Sequence, residues 1–231
     1  MSEMIRSSAY FGFVLSLSLY FIAFKTYKKI PIPLFSPLLF SSVLIILILV
    51  LFDIEYEIYE KSASLLNIFM GPATICYAVP LYRQVKVLKQ HFGAIMISVF
   101  CGCITSFASV YILSRVFQFD AEIYKSILPK SITTPIGISV SDTIGGIAGI
   151  TVASIIITGI FGGAMAVVVC RIFKVTHPIA KGLAIGTSSH VIGTSKAVEI
   201  GDVEGAMSGL ALVIAGILTV LLAPFAALLP F

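Results

Sequence analysis

Six stretches of this 231-residue chain carry no Asp, Glu, Lys or Arg: 7–24, 30–52, 62–82, 93–114, 143–170 and 205–231. Each holds at least 18 residues, and a helix needs about 20 apolar residues to cross a bilayer. No soluble domain of this length could hide so many charge-free runs, whereas lipid solvates them. Composition agrees. Hydrophobic residues make up 58% and charged residues 11%, against about 45–50% and 25% in soluble domains. The expected fold class is all-α: a polytopic transmembrane helical protein with discontinuous or re-entrant helices in internal repeats. A lipid bilayer is its first partner.

The net charge of +4 comes from short loops, among them Lys25, Lys28 and Lys29, then Arg83, Lys86 and Lys89. Such clusters mark cytoplasmic loops. No basic face with interleaved aromatics offers itself to a nucleic acid. The first apolar stretch, between Arg6 and Lys25, has no small-residue cleavage site and reads as a retained helix. Residues 1–61 form an N-terminal two-helix unit, in which a basic loop precedes an acidic one (Asp53, Glu55, Glu57 and Glu60). That order puts the N-terminus outside. Cys76, Cys101, Cys103 and Cys170 all fall in apolar stretches and read as buried thiols, with no zinc-like spacing.

Residues 62–231 change in character and read as one repeat-built unit. Three segments combine apolar length with helix breakers and hydroxyls: Gly71-Pro72-Ala73-Thr74 through Tyr82, Pro129 through Gly137, and Gly186 through Thr194. A smooth apolar helix follows each. Gly93, Gly149 and Gly205 stand 56 residues apart near the starts of those helices. At that offset Ile136, Gly137, Ser139, Ile144, Gly145 and Gly149 match Ile192, Gly193, Ser195, Ile200, Gly201 and Gly205, six identities in 14 positions, where chance gives roughly one. Corresponding Gly/Pro-interrupted segments are the sequence pointer to a transporter's binding site. If segment 126–146 crossed completely, Arg171 and Lys174 would lie outside, against the positive-inside tendency. Re-entrance returns them inside and makes successive repeats run in opposite directions.

Irregular backbone at membrane depth must be buried in protein or line a wet cavity. Pro135 removes a donor and disfavours helix at Thr134, so a helix end is expected within 129–146. A helix N-terminus presents free N–H groups and about half a positive charge. With hydroxyls beside it, it cradles a small carboxylate. The expected substrate-binding residues are therefore Thr74, Thr133, Thr134, Pro135, Gly137, Ser188, Ser189, His190, Gly193 and Thr194. His190 and Asp142 are the candidates for proton or ion coupling. A structural histidine satisfied by hydroxyls, and an N-cap near 142–146, are the plainer alternatives. Lys196 and Glu199 are placed to pair on one helix face. No nucleophile elbow, Walker motif or nucleotide-binding glycine pattern occurs, so neither an enzyme nor a cofactor is called for.

The runs Met70-Gly71-Pro72-Ala73-Thr74, Ala78 through Tyr82, Leu128 through Ile136, Gly186 through Ala197 and Glu204 through Leu210 together resemble the LrgB/CidB family. The likeness covers about residues 5–230. It departs at Gly137, Ser188 and Val191, where the family commonly has alanine. What the resemblance implies is divided. Bacterial members are called antiholin-like or holin-like and are linked to murein hydrolases and cell lysis. They are similar to the C-terminal part of the plastidal glycolate/glycerate translocator, and some relatives are associated with pyruvate uptake. They typically act with a small LrgA/CidA-type membrane partner. The resemblance assigns no catalytic residue. Two functions follow: a carrier for small monocarboxylates, and a lysis regulator acting through helix contacts, for which Gly205-x-x-x-Gly209 has close-approach spacing. A homo-oligomer is left open.

The orientation is directly testable. In a cysteine-free background, Glu57→Cys should react with an impermeant maleimide on intact cells, and Lys28→Cys only after permeabilisation. The opposite pattern would place the N-terminus inside.

Overall fold

The computed structural model describes residues 9–30, 35, 37–69, 72, 82 and 85–230. Thr74, Cys76 and most of the first broken segment lie outside the described residues. The described chain is helical, with no strand. It divides into two compact units, 1–76 and 77–231.

In the first unit, α1 (Phe11–Lys29) packs on α2 (Pro37–Leu51) and α3 (Tyr56–Ala63), which runs into a 3-10 turn at Ser64–Phe69. The expected boundary at 61/62 falls inside α3. Gly12 lets α3 come close: its N–H donates to Ser62 Oγ at 2.8 Å, and Ser16 Oγ shares a 2.8 Å hydrogen bond with Tyr59 Oη.

The second unit holds three helices long and apolar enough to span a membrane: α4 (Val85–Val116), from Lys89 on, α7 (Ala148–Ile172) and α9 (Asp202–Ala227). Between them lie α5 (Ala121–Ile127), α6 (Thr134–Ile144) and α8 (Pro178–Ile200). The 56-residue period reappears in the helix ends: Val116 with Ile172, and Ile144 with Ile200. Gly93 does not open α4. A non-helical His91 (φ −114°, ψ 16°) bends the helix just before it. Cys103 and Cys170 are buried as expected, but Cys101 is exposed, because it lies two positions from the buried Val99 and Cys103 and so on the opposite face of the helix.

α8 is not one rod. Ser189 (φ −131°, ψ 15°) and His190 (φ 42°, ψ −137°) break it, and the halves fold back on each other. A Cβ placed on Gly193 would sit 3.0 Å from the Ile185 carbonyl oxygen, whereas residues eight apart in a straight helix are separated by about 12 Å. The arms also meet one region of α9. In the first, Gly182 abuts Glu204 and Met207, and Gly186 abuts the Ser208 backbone. In the second, Thr194 Oγ1 shares a 2.9 Å bond with Ser208 Oγ, and Val198 touches Gly205. The hairpin therefore enters and leaves at the same end of α9.

α5 and α6 repeat this design. Thr133 is the extended N-cap of α6 and Pro135 stands in its first turn, as the sequence requires. Gly145, left-handed at φ 77°, closes it, and Ile147 restarts the chain into α7. Gly137 faces the Pro129 carbonyl oxygen at 3.7 Å from an added Cβ, and this pair lies 56 residues before Ile185 and Gly193. Thr151 of α7 clamps both arms, donating to the Ser126 carbonyl at 2.9 Å and lying 2.7 Å from Ser141 Oγ. This hairpin belongs to the start of α7, and the α8 hairpin belongs to the start of α9. They enter from opposite ends.

Within the chain, Gly182 and Gly186 both close tightly on α9, whereas nothing comes within 4 Å of a Cβ at Gly209. Gly186→Leu should therefore lower the melting temperature of the detergent-purified protein by several degrees, whereas Gly209→Ala should leave it within about a degree. Equal effects would contradict this packing.

Candidate functional site

Both hairpin tips reach the middle of α7. His190 Nε2 lies 2.9 Å from the Ile155 carbonyl oxygen. A carbonyl only accepts, so Nε2 carries the proton and donates. The ring packs over Gly159, where a Cβ would come within 2.6 Å of Nε2, and Ser189 packs over Gly162. From the other hairpin, Gly137 meets the Ile155 side chain. Ile155, Gly159 and Gly162 are central in a 25-residue helix, so the tips meet at mid-depth.

The broken backbone is satisfied locally. Thr194 Oγ1 donates to the His190 carbonyl at 2.8 Å, and Ser188 Oγ to the Ala184 carbonyl at 2.8 Å. His190 holds a conformation that side-chain-bearing residues seldom adopt, at a cost of about 1–3 kcal/mol. It is 3% exposed, and its ring hydrogen bond and the Gly159 notch hold it there.

Beside the tips is a pocket of about 720 Å³. Its walls come from α4 (Ser98, Gly102, Thr105, Ser106 and Ser109), the first tip (Lys130 and Ser131) and the first arm of α8 (Thr187 and Ser188). The exposed His91 and His177 line its mouth. Ser131 Oγ lies 3.3 Å from Ser106 Oγ, and Lys130 Nζ donates to Ser131 Oγ at 3.2 Å. No acidic group among the described residues pairs with Lys130. The pocket therefore offers one ammonium and a set of hydroxyls within apolar walls, a donor set suited to one negative charge.

The sequence-derived residues divide around this pocket. Ser188 lines it. Ser189, His190, Gly193 and Thr194 form the packed back of the second tip. Thr133, Thr134, Pro135 and Gly137 cap and begin α6 and are not part of the pocket lining. Both helix N-termini thus reach mid-depth, but the open space lies against the residues just before them. Asp142 is exposed on the last turn of α6, outside the pocket lining. Lys196 and Glu199 pair at 2.7 Å on one helix face. Lys130 and Ser131 lie inside the broken run 129–137 with no local feature to mark them out, and α4 reads as smooth. The missed signal was the stripe at 98, 102, 105, 106 and 109, which recurs at helical spacing. Among the described residues no His, Cys, Asp or Glu cluster is arranged to hold a metal.

Comparison with known proteins agrees with this architecture. Residues 16–229 match the family model described as the LrgB-like family. The antiholin-like protein LrgB of Bacillus subtilis (strain 168) is 39% identical over 218 residues, covering 94% of each chain. That of Bacillus mycoides (strain KBAB4) is 37% identical over 216 residues, covering 93% of this chain and 94% of its own. No solved structure matches. With three apolar spans and relatives of this kind throughout its length, this multi-pass bacterial membrane protein belongs to the LrgB-like family.

Proposed function

We propose that this chain is a carrier for small monocarboxylates of the pyruvate, glycolate or glycerate type, and not an enzyme. The observation that carries this is the pocket at the hairpin tips, where Lys130 stands without an acidic partner among seven hydroxyl-bearing residues. A carboxylate entering past His91 and His177 would meet the Lys130 ammonium and accept hydrogen bonds from Ser131, Ser106 and Ser188. The apolar walls at Ile95, Ile179 and Leu183 suit a short carbon chain.

Alternating access would follow from the opposed hairpins. Each tip is held by packing against α7, and a shift of one tip past Gly159 and Gly162 would close the pocket at one end and open it at the other. Thr133, Thr134, Pro135, Gly137, Ser189, Gly193 and Thr194 would shape the tips rather than touch the anion throughout. His190, with Nδ1 as its second valence, is the proposed proton or ion coupler, and Asp142 is the other candidate. A small LrgA/CidA-type membrane protein is the proposed partner.

A second reading, regulation of murein hydrolase activity and lysis through a holin-like partner, is favoured by the name antiholin-like that the relatives carry. The two are compatible, because flux of a metabolite can set lysis control.

Proteoliposomes separate them. Saturable uptake of labelled pyruvate or glycolate without leakage of an unrelated dye is the expected result. Lys130→Gln should lower kcat/KM for uptake about tenfold or more, the loss of one charged hydrogen bond, while Lys130→Arg keeps part of it. His190→Ala should reduce uptake while the protein still reaches the membrane. Dye leakage, or full uptake in Lys130→Gln, would contradict the carrier.

A further inference from the structure

A second pocket, of about 390 Å³, lies where α7 hands over to α8. Its lining has two characters. Val167, Cys170, Val175 and Ile200 are apolar, whereas Arg171, Lys174 and Lys181 are cationic. The loop that shapes it is set by backbone. Lys174 is left-handed (φ 53°), and Val175 N–H donates to the Cys170 carbonyl at 2.8 Å. Lys181, from the first turns of α8, comes within electrostatic range of Cys170. Arg171 and Lys174 are exposed and Lys181 is half-buried. None of the three has an acidic partner among the described residues.

Three unpaired cations around one hollow repel one another, and an anion between them relieves that repulsion. Position says which anion. The pocket sits at the end of a 25-residue apolar helix. Val168, Val169, Ile172 and Phe173 around it are exposed and apolar, so they meet lipid. Basic pockets between membrane helices at the bilayer surface take lipid headgroups. A soluble anion would have no use for Val167 and Ile200 in the same wall.

We propose that the Arg171–Lys174–Lys181 pocket binds the phosphate headgroup of an anionic phospholipid, with the start of an acyl chain against Val167 and Ile200. The site is separate from the proposed carboxylate pocket but shares an element with it. The first arm of α8 and the loop leading into it give Thr176 and Lys181 to one, and His177, Ile179 and Leu183 to the other. A lipid held there would steady the arm that carries Thr187 and Ser188 into the carboxylate pocket.

Native mass spectrometry of the detergent-purified full-length protein tests this with phosphatidylglycerol, phosphatidylcholine and free glycerol 3-phosphate as probes. Phosphatidylglycerol should be retained well above phosphatidylcholine, and retention should fall about fivefold for each cation changed in Arg171→Gln, Lys174→Gln and Lys181→Gln. Should the triple variant fail to fold, Lys174→Gln alone, at an exposed side chain, makes the same comparison. Glycerol 3-phosphate at the lipid's concentration should not displace the lipid. Equal retention of the two lipids, unchanged retention in the variants, or displacement by glycerol 3-phosphate would each overturn the assignment, the last by making it a site for soluble phosphates.

Discussion

Everything in the second unit depends on one requirement: backbone that stops being helical at membrane depth must find partners inside the protein. The contact that keeps the break inside the protein is His190 Nε2 to the Ile155 carbonyl, 2.9 Å. It holds the sharpest reversal of the chain against the centre of α7. Around it, small residues set the distance of approach. Gly159 and Gly162 admit the second tip, and Gly182 and Gly186 let its first arm lie against α9. The hydroxyls of Ser188 and Thr194 bond back to carbonyls on either side of the break. Larger residues at those glycines would force the tip outward and leave polar backbone facing lipid.

The same requirement explains why the pocket is where it is. Two hairpins that enter from opposite ends cannot fill the space between their tips and α4 as two straight helices would. What is left is a hollow lined by tip residues and by the polar stripe of α4. Ser106 ties that stripe to Ser131 at the first tip, and Thr187 fills the notch at Gly102. Lys130 is brought to this place by the turn between α5 and α6, whose flanking Leu128 and Ile132 are buried between α4 and the end of α9. Burial of its neighbours, rather than pairing of its charge, holds the ammonium at depth.

Much of this was legible in the sequence, and for a physical reason. Charge-free runs report lipid contact, and Gly/Pro interruptions report where helix fails. Both are local properties, so the broken segments at 129–137 and 186–194, the 56-residue repeat and the Lys196–Glu199 pair could be read directly. The fold-back of α8 could not. It depends on His190 taking a left-handed conformation that its residue type does not announce. Nor could the tip residues that line the pocket, Lys130 and Ser131 rather than Thr133 and Thr134. The α4 stripe was hidden by its own mildness, because serine and threonine hardly disturb a hydrophobic run.

The central claim is that the tips of two opposed hairpins frame a binding place for one small carboxylate. Thiol labelling of a Ser188→Cys variant, in an otherwise cysteine-free background and in inside-out vesicles, tests it at the atom level. A maleimide reagent should label this position, and millimolar pyruvate or glycolate should slow the labelling, while a neutral analogue of the same size should not. Labelling at one rate, whatever carboxylate is present, would contradict it.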